Sequence, residues 1–466
     1  MVPRTMQQGS GQQADFFVNP EFITKNHGRQ RIAAPHNPGF CCMNQTSRVT
    51  GSGSALSQQA QDGTAKPDAN PVGHRFDQRR ADLVAGAIPI LNSKGFKGMR
   101  LTAVAEAIGL RATGVTYYFP RKEDLAVACL ETGFDIFHRM LDQAEVGKNA
   151  AERLTRLISV FIERDAAVRR REAQPLASFA AIRALEGEQR QRVAEGYKHV
   201  FRRVQNLLKS SELTHLDAPE RNLRTIILLE QLFWTSGWLD GYDLDLFPRF
   251  AARMSDIVVG GLAPLGTQDG TATIDLDAAV ETPNESFLVA ATREINARSY
   301  RGASVDRIAA GLNRTKGAFY HYNKAKDDLV AACFRRSFDL ACEAQRRALA
   351  SHGPERDRLA AAVAGLVRFQ LGPRGPMLCA AVMSSMPSEH QAEIIAQSNT
   401  ISRQFGAMVA DGVADGSVRR VDPAIAGALL HAAINAAAEV RELSLAAEPD
   451  LVARFVGALF GGLASA

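Results

Sequence analysis

Arg111, Thr113, Thr116, Tyr117, Tyr118 and Lys122 lie close together in this chain, and side chains of these types can read a nucleic acid. An arginine can hold guanine O6 and N7 with two hydrogen bonds, and a threonine can meet a thymine methyl. Tyrosine hydroxyls usually reach phosphate, which positions a protein without specifying sequence. Lys122 precedes an apolar run, where the free N–H groups of a helix start add to its pull on phosphate. A second set has the same character: Ser304, Arg314, Thr315, Lys316, Tyr320, His321 and Lys326.

The elements that must hold these residues are short helices. Leu101, Val104, Ala105 and Ile108 give one apolar helical face. Gly109 follows where a left-handed C-cap belongs, and a second short helix is predicted from about Ala112 to Tyr118. A new helix then opens at Arg121-Lys122-Glu123. This is the helix-turn-helix plan, which presents its second helix to the DNA major groove.

The plan occurs twice. At a shift of 204 positions Gly98 falls on Gly302, Ala105 on Ala309, Tyr118 on Tyr322 and Lys122 on Lys326. Ala128-Cys129 falls on Ala332-Cys333 and Phe134-Asp135 on Phe338-Asp339, with no gap. The C-terminal parts echo each other as well, through Arg153-Leu154 with Arg358-Leu359 and AARMSDIVVGGL with VARFVGALFGGL. An internal duplication is the reading. Strand signals are nearly absent, so the expected fold is all-α: two tandem units, each a three-helix head followed by a helical-bundle body. The expected boundaries are a disordered Gln/Gly/Ser-rich tail over 1–73, a first head over 74–126 and a first body over 127–262. A Pro/Gly/Thr linker over 263–278 leads to a second head over 279–330 and a second body over 331–466. Helix one of the first head is expected over Asp77–Ser93, kinked at Pro89. Ser304 is placed to cap helix two of the second head.

Charge agrees with an anionic partner. The net charge is +5. Residues 74–126 hold nine Lys/Arg against five Asp/Glu, and residues 281–329 eight against six. The heads thus carry more than the whole excess, as phosphate neutralisation requires. The six cysteines have no C-x-x-C pair or metal spacing, and Cys129 and Cys333 read as small buried hydrophobes. No nucleophile elbow, phosphate-cradling glycine loop or metal-spaced cluster is found, which argues against an enzyme and against a metal or cofactor. No apolar run of membrane-spanning length and no secretory leader are read, so a soluble cytoplasmic, nucleoid-associated protein is expected.

Each head resembles the tetracycline-repressor-type (TetR/AcrR) family of bacterial one-component regulators. The residues that carry the likeness are Phe96, Leu101-x-x-Val104-Ala105, Gly109, Tyr118-Phe119 and Lys122-Glu123-Asp124-Leu125. In the second repeat they are Tyr300, Val305-x-x-Ile308-Ala309, Lys316-Gly317, Phe319-Tyr320-His321-Tyr322 and Lys326-Asp327-Asp328-Leu329. The resemblance implies dimers that hold two heads at successive major grooves of an operator. It also implies bodies with a pocket for a small apolar or amphipathic inducer, and repression as the usual mode. Phe179, Phe233, Trp234 and Trp238 in the first body, and Met383 and His431 in the second, are the pocket candidates, although such stripes are more often plain core. The stretch PRGPMLCAAVMSSMP reads as a loop placed to gate a pocket. Three departures from the family pattern are Pro89 inside helix one, Thr113 at the position of Gly317, and Asn323 at the position of Phe119.

Two heads in one chain with different exposed residues predict an internal pseudo-dimer on a non-palindromic operator, with a homodimer of fused chains as the rival assembly. The rival function is a protein–protein scaffold or co-regulator in which one or both heads no longer read DNA.

Overall fold

The structure is a computed structural model that describes residues 71–264, 274–276, 285–313, 325–386, 388–442 and 450–465. Among the described residues every regular element is a helix. The first head comprises α1 (Pro71–Gly98), α2 (Leu101–Ala107) and α3 (Ala112–Tyr118). In its core Leu83, Ala87, Val104, Val115 and Phe119 are all buried, and of the predicted α2 face Val104 and Ala105 are buried while Leu101 and Ile108 are half-buried. Helix α1 starts six residues earlier than predicted, and Pro89 does not break it. The non-helical residue lies further on, at Gly95 (φ 63°, ψ 170°), where the chain turns towards α2. Gly109, at φ 68°, makes the tight turn into α3 as the sequence predicts.

The second head repeats this geometry in α9 (Glu285–Gly302) and α10 (Val305–Gly311). Ser299 has φ 64° and ψ 165°, and lies 204 positions after Gly95. A side chain in the left-handed region is strained by about 1 kcal/mol, which glycine avoids in the first copy.

The bodies follow the heads in one-to-one order. The first has α4 (Lys122–Glu145), α5 (Ala150–Arg169), a 3-10 turn at Phe179–Ala184, α6 (Gly187–Leu207), α7 (Ala218–Trp238) and α8 (Phe247–Gly260). The second has α11 (Lys326–Leu349), α12 (Glu355–Leu371), a 3-10 turn at Ala380–Ser385, α13 (Ser388–Ala414), α14 (Pro423–Glu442) and α15 (Leu451–Gly461). Side-chain caps set several helix starts: Asn149 accepts from the Glu152 N–H at 2.8 Å, and Asp217 accepts from the Glu220 N–H at 2.7 Å. Asp422 does the same for the Ile425 N–H at 3.2 Å, so α7 and α14 align at a shift of 205.

The two bodies pack against each other within the chain. Helix α7 lies along α14, with α8 and α15 beside them. The Gly-Gly-Leu endings cross: Leu262 and Ala263 N–H both donate to the Phe460 carbonyl at 2.8 Å, and Leu463 N–H donates to the Val258 carbonyl at 2.8 Å. Gly261 (φ 66°) and Gly462 (φ 97°) permit this approach, because a Cβ on Gly462 would sit 2.6 Å from the Gly261 nitrogen. Arg224 seals one ending by donating to the carbonyls of Leu463 and Ser465, each at 3.0 Å. Arg419 seals the other, at 2.6 Å from the Gly261 carbonyl and 2.8 Å from Asp256.

One helix is apolar over a length that composition alone would allow to span a membrane. Residues Pro423–Val440 of α14 form an 18-residue window of mean hydropathy 1.3, apolar enough by composition to cross a membrane. The window is 78% buried inside the protein. Helix α14 touches α7, α12 and α13 at once, and a helix enclosed in this way must be apolar all round.

Candidate DNA-reading heads and regulatory cavity

Helix α3 has one inward side and one open side. Val115 is fully buried and Phe119 closes the end of the helix under the Arg80 guanidinium, 4.9 Å from the ring centroid. Opposite them Arg111, Thr113, Thr116 and Tyr117 are all exposed, Tyr117 by 72%. The Thr116 hydroxyl donates back to the Thr113 carbonyl at 3.1 Å, which leaves its methyl group outward. Tyr118 is half-buried, with its ring 4.8 Å from Phe76 and 5.1 Å from Tyr117. It therefore packs the short helix onto α1 and braces Tyr117. Phe76, which sequence reasoning missed, is the brace for both tyrosines.

The two lysines expected on phosphate are placed differently. Lys122 is half-buried, with its ammonium 4.6 Å from the Phe96 ring centroid. Lys326 repeats the arrangement over Tyr300 at 4.8 Å and donates to the Ala303 carbonyl at 2.7 Å. Burial pushes the Lys326 ammonium below the usual lysine value. Both lysines therefore tie the start of the body to the turn after helix one. Ser304 stands at the N-cap of α10, but its side chain makes no capping bond. Arg314, Thr315, Lys316, Tyr320, His321 and Asn323 lie outside the described residues.

Basic residues that the sequence reading did not select stand nearer the junction of the heads. Lys97 and Arg301 occupy equivalent positions, are exposed, and have no ion pair among the described residues. The α1 and α9 ends meet there, since a Cβ on Gly98 would lie 3.1 Å from the Arg301 guanidinium. Arg100, at the N-cap of α2, is exposed alongside.

Each head is clamped to its body by an asparagine amide. Asn92 donates to the Leu176 carbonyl at 2.7 Å and accepts from the Ser178 N–H at 2.8 Å. Asn296 donates to the Met377 carbonyl and accepts from the Cys379 N–H, each at 2.9 Å. These loops lead straight into the 3-10 turns that border each body's interior. The signal was present in the sequence, for Asn92 and Asn296 match at a shift of 204. Cys129 and Cys333 match as well, each buried with its sulfur against a helix-one carbonyl, Val84 or Leu288. Burial pushes the Cys129 thiol up to about 12, and both cysteines serve as the small buried hydrophobes expected.

The bodies differ inside. In the first, Phe179 and Phe233 form one ring cluster with Phe134, Phe137, Phe161 and Tyr197, with centroid spacings of 5.0–6.4 Å. The rings pack on one another, and Phe179, Tyr197 and Phe233 keep part of their surface exposed. Trp238 is core, packed 6.1 Å from Phe250, and Trp234 sits at the seam between the bodies, 6.0 Å from His431. Of these four pocket candidates Trp238 is buried core and Trp234 belongs to the seam, while Phe179 and Phe233 stay partly exposed. Met383 and His431 do line a cavity, in the second body, together with Met377, Phe405, Ser398 and Asn435. The space open to the centre of a water molecule is about 20 Å³, enough for a single water. His431 is buried, bonded through Nδ1 to the Ser402 hydroxyl at 2.9 Å, and burial lowers its pKa to about 4. The predicted gate loop supplies Met377, Leu378, Ala380 and Met383 to this cavity.

A charged cluster joins the first body's rings to the second body. Arg183 pairs with Glu439 across the seam, and Glu230 lies beside them. Burial, reinforced by Glu439, raises the Glu230 carboxyl to about 7. A carboxyl raised above its unfolded value adds stability that is complete at low pH and is lost as pH rises through the folded value. Glu230→Gln is therefore expected to remove about 1–3 kcal/mol of the stability lost between pH 5 and pH 8. Urea unfolding at both pH values checks this, and an unchanged pH slope in the variant would refute it.

A family model described as "Bacterial regulatory proteins, tetR family" matches residues 287–333, and one described as "Tetracyclin repressor-like, C-terminal domain" matches residues 352–439. The HTH-type transcriptional regulator RutR of Escherichia coli strain K12 is 36% identical over 59 residues, 13% of this chain. The match spans 28% of the length of that curated relative. Among solved structures, AibR in complex with isovaleryl coenzyme A and operator DNA aligns at TM-score 0.33 and 19% identity, covering 38% of this chain and 96% of that one. The regulator PfmR of Thermus thermophilus aligns at TM-score 0.32 and 20% identity, covering 38% and 98%. FadR of Bacillus subtilis in complex with stearoyl-CoA aligns at TM-score 0.28 and 18% identity, covering 38% and 96%.

Proposed function

This chain is of the tetracycline-repressor type, and from that premise we propose a ligand-responsive transcriptional repressor that reads two unlike half-sites with the two heads of one chain. It is a regulator and not an enzyme. The observation that carries the reading is the open side of α3, where Arg111, Thr113, Thr116 and Tyr117 stand exposed on a helix whose other side is locked by Val115 and Phe119. Lys97, Arg100 and Arg301 supply the phosphate contacts in place of the inward-turned lysines. The second head reads its half-site through Arg314, Thr315, Lys316, Tyr320 and His321.

The pseudo-dimer reading is supported by the seam within the chain, where α7 and α8 of one body meet α14 and α15 of the other. Light scattering on the eluting protein should give the single-chain mass of 50.5 kDa. A doubled mass would replace one chain on two half-sites with a four-headed assembly. The protein acts in the cytoplasm, bound to the nucleoid.

The direct experiment is binding of the full chain to the intergenic DNA upstream of its own gene, against random competitor, over a salt series. Binding should resist competitor and weaken steeply with salt, as counterion release demands. Arg111→Ala is expected to lose about 1–3 kcal/mol of specific binding and to relax preference at the base it contacts. Specific binding left intact by Arg111→Ala would remove α3 as the reading helix. Salt-insensitive retention of another protein, with no DNA retained, would favour the scaffold reading.

A further inference from the structure

We propose that only the second body takes the regulatory ligand, one molecule per chain, and that this ligand is a small neutral apolar molecule carrying a single hydrogen-bond acceptor. The inference rests on the ligand-responsive reading above and narrows it to one site and one chemical class.

The duplication supplies the comparison. Helices α4 and α11 align at a shift of 204, α5 and α12 at 205, the 3-10 turns and α6 with α13 at 201, and α7 with α14 at 205. At these shifts Phe137, Phe161, Phe179, Tyr197 and Phe233 fall on Ala341, Leu366, Ala380, Ser398 and Ala438. The register is secure across the interior, because Val193, Val200, Val204 and Leu207 fall on Ile394, Ile401, Phe405 and Met408, and all eight are buried. Five rings that interlock in the first body are therefore absent from the second. Four of the replacing residues, Ala341, Leu366, Ala380 and Ser398, line its cavity. Five lining positions run the other way, Leu130 to Phe334, Gly133 to Ser337, Ala177 to Leu378, Val200 to Ile401 and Val204 to Phe405, and they narrow the space without closing it. The first body carries interlocked rings where the second, lacking them, has a small cavity about the size of one water.

The lining specifies the occupant. Among the described residues no charged side chain borders the cavity, and His431 is held neutral by burial. A carboxylate or ammonium brought in would be desolvated without a partner, a penalty of several kcal/mol. Asn435, which replaces Glu230 of the first body, lines the cavity with its Nδ2 buried and without a hydrogen-bond partner among the described residues. An orphaned donor of this kind asks for an acceptor oxygen. Met377 and Met383 supply walls that can re-pack around a guest larger than the present space. The Met377 carbonyl is also the acceptor for the Asn296 clamp, so a ligand that moves this wall pulls on the second head.

The test uses the full chain, 2-heptanone as the neutral probe and heptanoate as its charged counterpart, titrated calorimetrically. Expected is saturable ketone binding at one site per chain, with heptanoate at least about tenfold weaker. Ala380→Phe and Ser398→Tyr each restore a ring that the first body holds, and each is expected to weaken the ketone about tenfold or more. Two are used because either can over-pack the core, and thermal melts identify the one that stays folded. Two sites per chain, equal affinity for heptanoate, retained binding in a folded ring variant, or no ketone binding at all would each overturn the inference. Retention of operator DNA is measured separately. One-site ketone binding that leaves DNA retention unchanged would sink the ligand-responsive reading and leave the one-site assignment standing.

Discussion

Arg224→Ala is expected to lower the free energy of unfolding by about 3–5 kcal/mol, because it removes one partner of a buried ion pair. The side chain of Arg224 is 8% exposed, with its guanidinium 3.0 Å from the Glu220 carboxylate and in reach of three carbonyls at the end of the chain, those of Gly462, Leu463 and Ser465. Truncation leaves Glu220 with Arg454, at 3.9 Å, as its remaining cation, and uncovers oxygens buried beneath the seam. The loss falls on the joint between the bodies, so α15 should gain hydrogen exchange ahead of α4 and α5. Replacing both partners with methionine fills the volume without leaving a lone charge, and that double variant should return to within about 1 kcal/mol of the parent. Urea titrations of the three proteins decide it. An Arg224→Ala loss below about 1 kcal/mol would mean that water serves these carbonyls and that apolar packing alone holds the bodies together.

Phe119→Ala carries the second large effect, about 3–5 kcal/mol, the usual range for truncating a buried phenylalanine. Phe119 is 2% exposed, ends α3 and lies under Arg80. A three-helix head of some 50 residues has little stability to spare. The expected outcome is local opening of α2 and α3, with the bodies intact. Specific DNA binding should therefore vanish while most of the circular-dichroism signal remains, since these helices contribute only seven residues each. Protected α2 amides in Phe119→Ala would disprove it. The second head carries Asn323 at this position, so if Phe119 matters as stated, the first head is the more stable reader.

Much of this organisation was legible in residue order. Helix α3 spans Ala112–Tyr118, the range the pattern predicts. Gly109 turns as a left-handed cap, a conformation glycine takes without strain and asparagine tolerates, as Asn313 does at the equivalent position (φ 53°). The duplication gave the order of elements in the second unit from the first. The Pro89 break was the local rule that failed, since the backbone stays helical through it and leaves helical geometry only at Gly95.

The candidate site was legible only in part. Periodicity tells which residues face inward, but not what they meet there. Phe179 and Phe233 have the pattern of pocket residues, and in the structure Phe134, Phe137 and Tyr197 arrive from other helices to pack against them, leaving both only partly buried. Trp234 looked like a pocket wall and belongs to the seam, because a second helix bundle from the same chain lies opposite. Lys122 and Lys326 head their helices as phosphate ligands would, but an aromatic ring contributed from 26 residues earlier draws each one inward. By itself the sequence determined the helical class and the exposed side of α3, both of which follow from residues a few positions apart. Tertiary structure alone decided which rings interlock, where the lysines point and how the Gly-Gly-Leu ends cross. Those outcomes depend on contacts between residues far apart in the chain, where side-chain volume and buried charge are balanced against neighbours that no local pattern names.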